Sequence, residues 1–337
     1  MAHTRSDTDT DETAPSVDTD ETAASVGTGR GRAADSPTEI PAAGWKDVLL
    51  RVKDEFRNDH VTLSAAGVAF FFFLALVPLV VAGVSIYGLF ADPSDVTSLV
   101  DRLGSSVPEA VRSLLSQQLD SIVSASGGSL GIGAAIGIGA ALWSASSGFG
   151  HLIEGLNIAY DEKESRGFVR VRATALAFTL GFLVLVFAVF GVITMASGVG
   201  SGVARVASLI VGWVVVAVLF GLFVAALYRY GPNRDDPEWV WVSPGSVFAV
   251  ATWTVMTIAF GFYVSNFGSY NETYGSLGAI IITLNWMYFT AVIVIVGAEI
   301  ATELERQTAE DTTQGREKPM GEREATAADE IGRATDS

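Results

Sequence analysis

The chain has 337 residues, half of them hydrophobic, with a formal net charge of −16 and a mean hydropathy of +0.40. The absence of cysteine excludes disulfides, iron–sulfur clusters and thiol catalysis, and the three histidines (His3, His60, His151) are too scattered for zinc-ligand spacing. Length and hydrophobicity leave two soluble domains or one membrane domain with polar tails, and the distribution along the chain decides for the second.

Residues 1–44 carry a near-repeat, DTDETAPSV at Asp9 to Val17 and DTDETAASV at Asp18 to Val26. With few large apolar side chains, this segment buries too little surface to offset the cost of ordering, so a disordered acidic N-terminal tail is expected. It opens without a basic stretch and short apolar core, so no cleaved signal peptide is expected. Trp45 to His60 reads as an amphipathic helix with Trp45, Val48, Leu49, Val52 and Phe56 on one side, either lying on the membrane surface or extending the first span.

Six uncharged stretches of 23 to 33 residues follow: Val61 to Phe90, Ser121 to Gly150, Ala173 to Ala204, Val206 to Tyr228, Trp239 to Asn271 and Thr273 to Ala298. About 20 apolar residues cross a bilayer as a helix. A soluble helix of that length needs a polar face, which these stretches lack. We expect an all-α polytopic membrane domain over 45–301, with spans at about 62–90, 128–149, 173–197, 206–229, 243–267 and 275–300.

Pro78 removes a backbone hydrogen bond near the middle of the first span and predicts a kink or a freed carbonyl. Between the first two spans, Val107, Val111, Leu114, Leu115 and Ile122 recur at helical spacing, which predicts an exterior helical hairpin over 96–123. The second span carries Gly127 with Gly131 and Gly133 with Gly137, pairs that admit close neighbours and predict a central position. After it, HLIEGLNIAYDE sets His151, Glu154 and Asn157 three residues apart, either lining an inner vestibule or capping the helix and holding the loop. Trp239 and Trp241 mark the inner entry to the fifth span as an aromatic belt does.

The link FGSYNETYGSLGA, Phe267 to Ala279, is short and free of Lys and Arg. Gly275 and Gly278 permit unusual backbone angles, while Tyr270, Asn271, Glu272 and Tyr274 form either the rim of a mouth or a rigid interfacial turn. In the sixth span Gly278, Asn285, Val292 and Glu299 are spaced by sevens and drift only about 20° per step, forming one stripe. Its functional reading is a polar track; the other is Asn285 bonding a neighbouring helix while Glu299 reaches the interface. The candidate pathway or gating residues are therefore Pro78, Glu154, Asn157, Tyr270, Asn271, Glu272, Tyr274, Gly275, Gly278, Asn285 and Glu299. No catalytic residue, metal site or cofactor is expected. Residues 302–337, rich in Glu, Asp, Thr and Ala, are expected to be a second disordered acidic tail.

Lys and Arg near the span ends number eleven on the side of both termini against three on the other, so both termini are expected in the cytoplasm of a plasma-membrane protein. The acidic tails repel nucleic acid, and surplus carboxylate also suits a protein of concentrated salt. Membrane lipids and an unknown substrate are the expected partners, with homo-oligomerisation left open.

Read together, YRYGPNRDDPEWVWVSPGSVFAV, FGFYVSNFGSYNETYGSLGAIIITLNWMYFTAVIVIVGAEI, SAAGVAFFFFLALVPL and LNIAYDEKESRGFVRVRATAL resemble the YihY/BrkB-type inner-membrane proteins, once labelled ribonuclease BN, from about Trp45 to Ala301. The chain departs from that pattern at Ala75 and Asn285. The resemblance implies six spans, cytoplasmic termini and an envelope role, either as a transporter or flippase-like permease or as a non-transporting scaffold. A ribonuclease needs acid–base or metal groups beside a basic RNA track, and the sequence offers neither.

Overall fold

The computed structural model describes residues 29–87, 132–198, 201–266 and 276–334. Its long helices are α1 (Ala42–Asn58), α2 (Val61–Tyr87), α3 (Ile132–Ala159), α4 (Phe168–Gly198), α5 (Val203–Tyr230), α6 (Trp239–Asn266) and α7 (Ser276–Glu305); a single turn, α8 (Thr326–Asp329), follows. Among the described residues there is no strand, and the one β-bridge pairs Pro237 with Thr313.

Helices α2 to α7 alternate in direction and each packs on the next, while α7 closes back on α2 and also touches α3. The result is a ring of six. Five of them, α2, α4, α5, α6 and α7, are long and apolar enough to cross a membrane. The expected second span corresponds to α3, whose first half adjoins residues outside those described. The ring is filled by phenylalanines: Phe149 of α3 lies 5.0 Å from Phe72 of α2, 5.8 Å from Phe182 of α4 and 6.0 Å from Phe223 of α5 between ring centroids. Such tilted and edge-on pairs suit the ring quadrupoles and, where lipid supplies no hydrophobic drive, dispersion carries the packing.

The close approach of α6 and α7 depends on two glycines. A Cβ on Gly245 would collide with the Gly297 carbonyl, and one on Gly297 with the Tyr228 hydroxyl. That hydroxyl donates to the Val294 carbonyl at 2.7 Å, tying α5 to α7. α2 carries Pro78 inside its continuous run from Val61 to Tyr87.

At one end of the ring, here the basal end, α1 folds back. His60 takes a left-handed φ of +48°, turning the chain sharply between α1 and α2, and its carbonyl accepts from Leu63 and Ser64 as the new helix starts. The apolar face of α1 then finds its partner within the protein rather than along the membrane: Val48 and Val52 pack with Trp241, Ile300 and Leu304. Residues 29–41 and 306–334 pack here too, where disordered tails were expected. Ala325, Ala327 and Ala328 are buried; Arg323 donates to the carbonyls of Glu310, Ala328 and Ala309; and Ala309 N–H reaches Arg32 O at 2.8 Å. A disorder rule counts the core a segment can build alone, whereas these segments dock on a platform already built by the helices. The exterior hairpin, the N-terminal repeat and the rim residues Tyr270, Asn271, Glu272, Tyr274 and Gly275 lie outside the described residues.

Candidate functional site at the basal face

The last turns of α7, GAEIATELE, carry Glu299, Glu303 and Glu305, all about 1% exposed. A buried carboxylate is costly unless paired. Two of the three are. Glu303 pairs with Arg51 of α1 and, at 3.0 Å, with Arg306, while Arg51 also donates to Gln307 Oε1 at 2.8 Å. Glu305 accepts two hydrogen bonds from Arg234, at 3.1 and 2.6 Å, and one from Thr312 at 2.8 Å. Arg234 also lies over the Tyr160 ring, 5.2 Å from its centroid. Arg306 is held further by Asp161 at 2.6 Å.

Glu299 differs. Its Oε1 is buried without a hydrogen-bond partner. Burial is the chief cause that lifts the Asp59 carboxyl, at the end of α1, to about 6.

Beside this network lies a polar cleft of about 570 Å³, lined by Arg166, Arg170, Tyr230, Asn233, Asp236 and Glu324 among others. Its wall is a crossing of two loops. Asn157 donates to Glu164 at 2.9 Å and accepts from Asn233 N–H at 2.7 Å, so one amide joins the loop after α3 to the loop after α5. Arg166 binds Glu164 at 2.8 and 2.6 Å and the Gly231 carbonyl at 2.9 Å, and this guanidinium is the main reason the Glu164 carboxyl falls to about 2. Arg170 is exposed and, among the described residues, has no carboxylate partner. Tyr230 lines the cleft and its ring lies 6.1 Å from that of Trp239; elsewhere Trp143 meets Phe168, with Arg172 4.3 Å from the Trp143 ring and Arg229 4.8 Å from that of Trp239. Amphipathic rings beside arginines mark the depth at which a bilayer's headgroups lie.

The structure scatters several residues that the sequence grouped together. Asn157 joins the cleft wall, but Glu154 points out, 73% exposed at its side chain, and meets His151 at 3.3 Å; the His151 ring stacks on Phe71. Pro78 is half-buried within α2. The sevenfold stripe of α7 has no common surroundings, since Gly278 and Glu299 are buried while Asn285 is exposed and donates to Ile281 O of its own helix at 2.8 Å. A polar track along α7 thus finds no support at Asn285. Sequence reasoning passed over Asp59, Arg170, Glu303 and Glu305. Three glutamates within seven residues, directly after an apolar run, were the available signal for the last two.

The family described as Virulence factor BrkB matches residues 52–321. A Bacillus subtilis protein named as ribonuclease-like, YfkH, is 33% identical over 259 residues, covering 72% of this chain and 90% of that protein. A UPF0761 membrane protein of Alkalilimnicola ehrlichii is 29% identical over 295 residues, covering 82% of this chain but only 63% of its own length. Another, from Aliivibrio fischeri, is 26% identical over 267 residues, covering 77% and 84%. No solved structure matches the chain.

Proposed function

The chain belongs to the Virulence factor BrkB family of membrane proteins, and from that premise we propose that it is a flippase-like permease of the plasma membrane, with its basal face and both termini in the cytoplasm. One observation carries the reading: the polar cleft holds the exposed Arg170 beside Tyr230, whose ring contacts Trp239, a pairing of cation and amphipathic rings that suits a charged headgroup. The basic residues around the basal end support the orientation. The reading is non-enzymatic, because Arg166 and Arg234 are already held by Glu164 and Glu305. A phosphodiester track needs a row of cations free to meet it.

The test is reconstitution of the full chain in vesicles holding a lipid with a fluorescent headgroup, followed by an impermeant quencher. Quenching beyond the protein-free level, reduced by Arg170→Glu without loss of folded protein, is the expected result. Quenching at the protein-free level would defeat the flippase reading. It would favour the second one, a non-transporting envelope scaffold, to which the folded basal platform of residues 306–334 offers a rigid docking face.

A further inference from the structure

The polar cleft is lined by both signs of charge, and half of those charges are already committed. Arg166 is held by Glu164 and Arg234 by Glu305, while Asp235 pairs with Lys318 at 2.6 Å. Among the described residues, three lining groups are left without an ion pair: Arg170 in the first turn of α4, Asp236 in the loop after α5, and Glu324 just before α8. Arg229 stands next in line for Asp236, but it donates to the Pro237 carbonyl and to Gln314 Oε1. Glu324 is fixed by its backbone. Its carbonyl accepts from Asp235 N–H at 3.0 Å, and its φ of +52° is a left-handed angle that a residue with a side chain adopts at a cost. Two residues on, Thr326 N–H donates to Glu162 at 2.7 Å, so this segment is tied to the loops after α3 and α5. One cation and two carboxylates, from three separate segments, therefore meet in a cleft of about 570 Å³, a size that suits a small polar ligand.

A headgroup with negative charge alone would satisfy Arg170 but set a like charge against Asp236 and Glu324. One with positive charge alone would be opposed by Arg170. A ligand carrying both signs leaves none of the three opposed. We propose that the cleft selects a zwitterionic headgroup, a phosphodiester joined to a primary ammonium, with Arg170 on the phosphate and Asp236 and Glu324 on the ammonium. The guanidinium fork matches phosphate oxygens, and the three N–H donors of a primary ammonium can serve two carboxylates at once. The assignment of a lipid as the source of that headgroup rests on the permease reading; the charge selection rests on the cleft.

Binding and transport are measured separately on the full chain. Calorimetry in a nonionic detergent compares short-chain phosphatidylethanolamine with short-chain phosphatidylglycerol, which keeps the phosphodiester and lacks the ammonium. The ethanolamine lipid should bind roughly tenfold more tightly, and Arg170→Gln should weaken it by a similar factor. Asp236→Asn with Glu324→Gln should erase the preference by letting the glycerol lipid bind as well. Equal binding of the two lipids by the wild type, tighter binding of the glycerol lipid, or a preference that the double variant leaves intact would overturn the selection. Should the double variant fail to fold, Glu324→Gln alone, at an exposed position, should narrow the preference, and an unchanged preference there would count against it equally. Glycerophosphoethanolamine, the same headgroup without acyl chains, separates the sources: weak binding supports the lipid, and binding as tight as the lipid's would assign the cleft to a soluble headgroup instead. The quenching assay keeps the two claims apart. Selective binding with quenching at the protein-free level would defeat the permease and leave the selection standing, whereas quenching above that level with equal binding of both lipids would defeat the selection alone.

Discussion

The two ends of the α6–α7 pair are built on different principles. Basally, α6 buries Trp241, Val242, Ser246 and Ala249, and α7 buries most positions from Ala291 to Glu305, with ion pairs closing the polar groups among them. Toward the other end, α6 from Val250 to Val264 has no buried residue among those described, and Ile258, Phe262 and Ile280 are exposed. There the helices are joined by ring contacts such as Trp253 with Trp286 at 6.0 Å and by Trp253 Nε1 donating to Thr290 at 3.1 Å. The basal half is held as a soluble protein is, by a dense core and directional charge pairs. The other half presents apolar surface, as a lipid-facing helix does.

This contrast can be broken most severely at Glu305. Glu305→Ala leaves Arg234 buried and unpaired, and should cost about 3–5 kcal/mol, seen as a large fall in Tm in detergent; Arg234→Met added to it should recover part of the loss. A fall no larger than that of a surface pair would mean that the basal network is solvated. Next is Gly297→Val, which places a branched side chain against Tyr228 and Gly245; overpacking there should cost about 1–3 kcal/mol and increase aggregation on size-exclusion chromatography.

A smaller effect is expected from acid. Arg166 depresses the Glu164 carboxyl to about 2, so its contribution exists above the ordinary carboxylate range and is lost as pH falls through about 2. Glu164→Gln should lower Tm at neutral pH and converge with wild type in acid; convergence in alkali instead would contradict the pairing. Smallest of all is Asn285→Leu in the other half, expected within about 0.5 kcal/mol of wild type with unchanged membrane abundance, because its amide serves only its own helix. A clear loss of folded protein would show that Asn285 holds a neighbour.

What was legible in the sequence divides along the same line. Runs without charge announce spans because lipid tolerates nothing else, and α4, α5, α6 and α7 lie over their expected ranges. The basal helix ends were less legible. α3 continues ten residues past the expected 149, through His151, Glu154 and Asn157, because Leu152, Ile153 and Leu156 are buried by neighbours that no local pattern announces. α7 runs on to Glu305 for the same reason, with Glu303 and Glu305 matched by arginines far away in the chain. The folded segment 306–334 escaped a composition rule because alanines and threonines can pack on a ready surface without forming a core. In the candidate site, single residues such as Glu299 and Asn157 were visible as polar groups in apolar surroundings, but the partner of Asn157, Asn233, depends on a tertiary contact.

The pairing of Arg51 with Glu303 has a consequence in time. The two lie 252 residues apart, so at ribosomal rates of roughly 5–20 residues per second the arginine emerges about 10–50 s before its carboxylate. Throughout that interval Arg51 lacks the carboxylate it holds in the finished protein, and Arg234, made later, waits 71 residues for Glu305. The last helix then neutralises both. A chain that stops short of Glu303 would lack both ion pairs and leave its basal face unclosed.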